Sequence, residues 1–211
     1  MKVISHRGWW QEFSQKNTLN AFQRSIDGGF GIETDIRDYK GELVISHDVP
    51  CQRPSVTFEK FLEVSATHRN DTKLTLAINV KADGLASRIA DSVSRFNNLD
   101  YFCFDMSVPD MRDYFDYKIP VFARLSEEEK EPAWLDKCSG VWLDSFLSEW
   151  YDLAVIESML NSDKQVCIVS SELHGRDYRK LWNMLAPIRN HQLLSLCTDL
   201  PLHAEEFFNE N

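Results

Sequence analysis

Short, almost wholly apolar runs alternate along this chain with stretches in which apolar residues return every three to four positions. The runs lie near 2–6, 31–36, 73–81, 100–105, 119–124, 140–144, 165–170 and 193–198. Their lack of polar alternation marks strands buried on both faces. Helical patterns fill 17–28, 57–68, 84–96, 108–117, 152–162 and 177–189, three of them opening on capping residues at Asn17-Thr18, Thr57 and Asp177. A poorer helical pattern covers 127–137, and 40–48 reads as an extra extended segment after a Lys40-Gly41 turn. Eight strands alternating with helices predict an α/β chain folded as a compact (β/α)8, TIM-like barrel, a single domain over 1–211, near the ~200-residue lower end for that architecture. An open doubly wound sheet is the competing arrangement. No Gly-rich turn follows the first strand, which counts against its dinucleotide-binding version.

Composition narrows the class of function. Hydrophobic residues make up 43% of the 211, enough for one substantial core, and no linker or low-complexity segment marks a boundary. Twenty-three Lys and Arg against 33 Asp and Glu give a net charge of −10. That balance excludes a broad phosphate-backbone surface, so no nucleic-acid partner is expected, and it offers no general attraction to anionic membranes. Any phosphate must be gripped locally. The apolar start ends at His6-Arg7, too soon for a signal-peptide core, and no run reaches transmembrane length. Cys51, Cys103, Cys138, Cys167 and Cys197 form no CxxC pair, and three lie in apolar runs, which predicts free thiols and a cytoplasmic protein.

The chemistry-bearing residues fall where strands end. His6 and Arg7 close the first run, Glu33 and Asp35 the second, and Asn79 and Lys81 the third. In a (β/α)8 barrel those ends carry the active site. Strand side chains alternate, so Glu33 and Asp35 share a face, where one hard cation can bridge their oxygens. Asp105, Asp144, Glu172 and Thr198-Asp199 occupy matching positions later in the chain. Taken singly, each is an ordinary polar strand end; recurrence at three consecutive strands points to metal-assisted phosphoryl chemistry. His68, His191 and His203 fall in or beside helical patterns and read as structural, whereas His174 follows the seventh strand and could reach the mouth. Trp9 and Trp10 suit an apolar wall or simple packing, and Asp48 suits orienting His47 or capping a turn. Trp142 and Asp144 alternate on the sixth strand and could line the interior or simply fill it. Glu127-Glu128-Glu129 reads as a solvated helix start.

The string His6-Arg7-Gly8, Asn17-Thr18 with Ala21-Phe22, Ile32-Glu33-Thr34-Asp35, Gly41 and His47-Asp48 resembles the N-terminal signature of glycerophosphodiester phosphodiesterases, in order and spacing. Asn79-Val80-Lys81 and Thr198-Asp199-Leu200-Pro201 extend the similarity across the chain; residues 100–190 match by element order only. The resemblance implies a TIM barrel, one divalent cation, Mg²⁺ or Ca²⁺, and hydrolysis of a small-molecule or polyol phosphodiester through a cyclic phosphate. It assigns His6 and His47 as the acid/base pair, Arg7 and Lys81 to the phosphate, and Glu33, Asp35 and Asn79 to the metal. Two departures matter. Asn79 stands where the family has a third acidic ligand, and Lys16 replaces the acid of its Glu-Asn-Thr motif. Only about ten residues separate His47 from the next helix start, which implies little or no capping insertion and an open mouth. Two other functions compete: a phospholipase-like enzyme on lipid headgroups, or a binding or regulatory module on the same scaffold.

Overall fold

The computed structural model describes residues 1–68 and 73–210. In chain order its strands are β1 (Lys2–His6), β2 (Gly31–Tyr39), β3 (Glu42–Ile45), β4 (Leu74–Val80), β5 (Leu99–Phe104), β6 (Phe122–Leu125), β7 (Gly140–Leu143), β8 (Gln165–Val169) and β9 (Leu194–Thr198). The helices are α1 (Leu19–Asp27), α2 (Phe58–Ser65), α3 (Ala86–Val93), α4 (Val108–Asp116), α5 (Leu153–Asn161), α6 (Arg179–Leu185) and α7 (Pro201–Glu210). The hydrogen-bonded strand order is β5-β4-β2-β1-β9-β8-β7-β6, with β3 added to β2. Between β5 and β6, the Cys103 N–H donates to the Pro120 carbonyl at 2.8 Å and Cys103 bridges Val121 in parallel. Eight parallel strands that follow one another in chain order round a nearly closed sheet form the predicted (β/α)8 barrel.

The backbone divides into two compact units, residues 5–121 and residues 1–4 with 122–211. In the first, β2 pairs in parallel with β4 and β4 with β5, and Ile32, Ile36, Leu76, Ile78 and Phe104 are buried. Its helices begin where the sequence places caps: Thr18 accepts the Ala21 N–H at 3.3 Å and Thr57 accepts the Lys60 N–H at 3.1 Å. β2 runs three residues beyond its predicted end because Arg37–Tyr39 pair with β3 across the Lys40-Gly41 turn. Both turn residues have positive φ, 49° and 87°, the backbone a two-residue hairpin of matching twist demands. Residues 46–57 form no helix and no strand, and Ile45 donates to Val56 at 3.0 Å, so the connection to α2 is short.

In the second unit, β6, β7, β8 and β9 pair in parallel, and Leu181, Trp182 and Leu185 of α6 join Val166, Ile168, Leu194 and Leu196 in one core cluster. The structure corrects one element here. Residues 127–137 are not helical. Pro132 has no N–H to give, and the three consecutive glutamates leave no apolar stripe to bury. Instead, Ser126 Oγ accepts the N–H groups of Glu128 and Glu129, and Glu127 accepts those of Phe146 and Leu147. The connection from β6 to β7 is thereby pinned without a helix. Cys103, Cys138, Cys167 and Cys197 are buried free thiols and Cys51 is exposed. Among the described residues no helix is long and apolar enough to cross a membrane.

Candidate active site

Residues 5–121 gather six of the seven predicted site residues around the carboxyl ends of β1, β2 and β4. His6 ends β1, and the chain then turns through two left-handed residues, Arg7 at φ 58° and Gly8 at φ 81°. Glycine is required at the second: a Cβ on Gly8 would stand 2.9 Å from both the carbonyl carbon and the Cβ of Ala21. The turn sends the Arg7 backbone N–H onto Glu33 Oε2 at 3.1 Å and the guanidinium Nε to 3.0 Å from Asp35 Oδ2. His6 Nε2 lies 3.9 Å from Glu33 Oε2.

Asp35 is the hub. It is fully buried, and Lys81 Nζ approaches its Oδ1 at 3.4 Å. Asn17 donates Nδ2–H to its Oδ2 at 2.8 Å, accepts the Thr34 hydroxyl at 2.8 Å, and donates its backbone N–H to the Arg7 carbonyl at 2.9 Å. Asn17 has φ 60°, a left-handed conformation that asparagine tolerates better than most residues. Its role escaped the sequence reading, which placed it in a motif without a chemical task. The available signal was an Asn one position before a helix cap.

Asp35 and Asn79 are register partners on adjacent parallel strands, so with Glu33 they occupy one face of the sheet. Asp35 Oδ1 and Asn79 Oδ1 are buried and accept no hydrogen bond. Buried oxygens are ordinarily satisfied. Two carboxylates and an amide carbonyl fit a hard divalent cation, for which oxygen donors are the preferred set. With only two acids, the trio falls short of a cluster of three or more His, Cys, Asp or Glu, and no such cluster occurs among the described residues.

Electrostatics agree with an unmet demand for positive charge. Burial, and secondarily the negative charge of Asp35, push the Glu33 carboxyl up from 4.5 to about 7, against the opposing pull of His6, Arg7 and Lys81. His47 is placed differently. Its segment is tied to β2 by the Ser46 N–H, which donates to the Asp35 carbonyl at 3.1 Å, and by Arg37 Nε, which donates to the His47 carbonyl at 3.0 Å. The ring is half-exposed and pairs through Nδ1 with Asp48 Oδ1 at 2.8 Å. Among the described residues no hydrogen bond or ion pair joins it to Glu33, Asp35 or Lys81. Near the turn after β1, Lys16 Nζ lies 4.5 Å from the Trp10 ring and 4.8 Å from that of Phe13, so the lysine that replaces the motif acid belongs to an aromatic cluster.

No family model and no curated protein matches this sequence. Solved structures do. The glycerophosphodiester phosphodiesterase of Agrobacterium tumefaciens str. C58 superposes over 100% of both chains with a TM-score of 0.71 at 16% identity. That of Thermotoga maritima covers 97% of both chains with a TM-score of 0.63 at 17% identity. A mutant tryptophan synthase α-subunit from Pyrococcus furiosus also aligns, over 99% of this chain and 95% of its own, with a TM-score of 0.51 at 12% identity. The likeness is one of fold, shared by differently named enzymes, so function has to be argued from the residues at the strand ends.

Proposed function

We propose that this chain is a divalent-cation-dependent hydrolase of a glycerophosphodiester or a similar polyol phosphodiester. The observation that carries the reading is the face shared by Glu33, Asp35 and Asn79, where Asp35 Oδ1 and Asn79 Oδ1 are buried without a hydrogen bond and Arg7 and Lys81 flank Asp35. The fold likeness to two glycerophosphodiester phosphodiesterases along their whole length supports it.

Glu33, Asp35 and the Asn79 carbonyl oxygen would hold one Mg²⁺ or Ca²⁺. When bound, such a cation offsets the charge that builds on the non-bridging phosphate oxygens in the transition state. Arg7 and Lys81 serve the same phosphate. Both are ion-paired with Asp35, and a phosphodiester anion competes for them without their having to move far. The guanidinium offers a planar fork and the ammonium a point charge. His6 and His47 are the proton carriers. In the first step a hydroxyl beside the phosphate attacks phosphorus, one imidazole takes its proton, and the other protonates the departing alkoxide as the P–O bond breaks. A water molecule then opens the resulting cyclic phosphate with the proton transfers reversed. Asp48, hydrogen-bonded to His47 Nδ1, orients that ring and fixes which nitrogen faces the substrate. The short connection from His47 to α2 leaves the mouth open, which favours an extended diester whose remote groups add binding energy.

A second reading has its own observation. Asn79 supplies one negative charge fewer than an acid would, and Arg7 and Lys81 already neutralise Asp35, which favours a phosphate-binding module that needs no cation. Hydrolysis of a panel of small and extended glycerophosphodiesters, each with a 2-deoxy counterpart, separates the two. The enzyme reading expects turnover of the hydroxylated compounds that stops in chelator, with the deoxy compounds inert. Cleavage of the deoxy compounds at equal rate contradicts the cyclic route, and binding without turnover supports the module.

A further inference from the structure

Two residues of the phosphate site hold backbone conformations that side chains disfavour. Arg7 has φ 58° and Asn17 φ 60°, and the Asn17 N–H, donating to the Arg7 carbonyl at 2.9 Å, closes the loop between them at its neck. Strained residues of this kind persist only where their surroundings over-determine them. Both neck residues serve Asp35: Arg7 Nε lies 3.0 Å from its Oδ2, and Asn17 Nδ2 donates to the same oxygen at 2.8 Å.

The restraint on this loop comes from α1. Trp9, two residues past Arg7, is gripped on both sides of its main chain by that helix. Its N–H donates to Ser25 Oγ at 2.8 Å and to the Ala21 carbonyl at 3.1 Å, and its carbonyl accepts Arg24 Nε–H at 2.8 Å. The other arm of the same guanidinium, Nη2, donates to Gln15 Oε1 at 2.6 Å, two residues before Asn17. That oxygen also accepts the Gln11 N–H at 3.1 Å, and the Gln15 carbonyl accepts the Thr18 hydroxyl at 2.7 Å. One guanidinium therefore spans the loop, two residues inside each end of its neck.

The partners of Arg24 separate this role from helix-surface decoration. Asp27 stands three residues on, the spacing of a helix ion pair, yet it is left to Gln23, whose amide donates to it at 2.9 Å. Among the described residues Arg24 meets no carboxylate and spends both arms on neutral oxygens of the loop. A planar fork with its donors at a fixed angle sets the separation of the two acceptors, which the point charge of an ammonium does not.

We propose that Arg24 is a positioning residue for the phosphate site: by fixing Trp9 against Gln15 it holds Arg7 and Asn17 in their left-handed conformations and on Asp35. It acts through these two residues and not on the substrate. Its effect on turnover rests on the hydrolase reading, whereas its effect on the placement of Arg7 and Asn17 does not.

The test is proton–nitrogen NMR of the arginine Nε–H and asparagine Nδ2–H groups of the whole chain, in wild type, Arg24→Ala and Arg24→Lys, where circular dichroism shows full folding. Arg24→Lys keeps the stem and the charge and guards against loss of fold in Arg24→Ala. In both variants the Arg7 and Asn17 signals are expected to shift and to exchange with solvent at least about tenfold faster, while Arg95 Nε–H on α3 stays unmoved. On an extended glycerophosphodiester, folded Arg24→Lys is expected to lose roughly 10- to 100-fold in kcat. Its KM should change by less than about threefold, because a displaced Arg7 forfeits stabilisation that grows in the transition state. A merely structural role leaves kcat of the folded protein alone. A wild type without turnover refutes the hydrolase reading, and the NMR signals then decide the positioning role by themselves. Unmoved Arg7 and Asn17 signals, or full kcat in folded Arg24→Lys, overturns the proposal.

Discussion

Replacing Glu33 by Gln isolates the electrostatic state of the phosphate site. In the folded chain burial and Asp35 hold the Glu33 proton up to about pH 7, against 4.5 for the ordinary carboxyl. Between those values the folded state binds the extra proton, so this group's contribution lowers stability as pH rises from about 4.5 and levels off above about 7. At about 1.4 kcal/mol per pH unit, the fall amounts to ~3 kcal/mol, a large share of the 5–15 kcal/mol by which a domain is ordinarily stable, roughly. Glu33→Gln keeps the shape and the acceptor for the Arg7 N–H while removing the charge. In chelator the variant is therefore expected to match the wild type at about pH 4, below the ordinary carboxyl value, and exceed it by up to ~3 kcal/mol at about pH 8. Saturating Mg²⁺ or Ca²⁺ should erase that difference, because a bound cation releases the Glu33 proton and stabilises the wild type alone. Urea unfolding followed by the fluorescence of the six tryptophans measures both. Parallel stability curves for the two proteins across this pH range refute the electrostatic account.

Three further variants test individual parts. Asn79→Asp adds a negative charge beside Asp35 and is expected to tighten Mg²⁺ or Ca²⁺ by about tenfold or more in calorimetry, about 1.4 kcal/mol; weaker binding would point to a different third ligand. Asn17→Ala leaves Asp35 Oδ2 and the Thr34 hydroxyl short of a partner and should cost about 1–3 kcal/mol in urea unfolding, with a further loss of cation affinity that a purely structural role would not produce. His6→Ala and His47→Ala should each lower kcat/KM by roughly 10²- to 10⁴-fold while remaining folded by circular dichroism. Near-full activity in either removes that histidine from the proton-transfer pair.

Much of this arrangement is legible from residue order alone. The apolar runs gave the barrel strands because parallel strands buried on both faces have no polar alternation, and the i, i+2 spacing placed Glu33 with Asp35. The register that sets Asn79 beside Asp35 is a tertiary fact, and no local pattern states it. The same holds for Asn17, whose left-handed backbone is required only because the chain must bring its amide onto a carboxylate eighteen residues away. The missing helix at 127–137 was masked by a favourable acidic start; the decisive signals were Pro132 and the absent apolar face. His174 Nε2 meets Asp144 Oδ1 across thirty residues of chain, a pairing that could not be read from spacing.

The cation proposed at Glu33, Asp35 and Asn79 is one the chain needs to cleave a phosphodiester. The most direct measurement is the hydrolysis rate of an extended glycerophosphodiester by wild type and Glu33→Gln, side by side, as Mg²⁺ or Ca²⁺ is titrated into chelated protein, with product followed by phosphorus NMR. Wild-type activity is expected to appear with the cation, to saturate, and to fall by roughly 10²-fold or more in the variant at every cation concentration. Undiminished wild-type turnover in chelator, or equal cation response in both proteins, contradicts it.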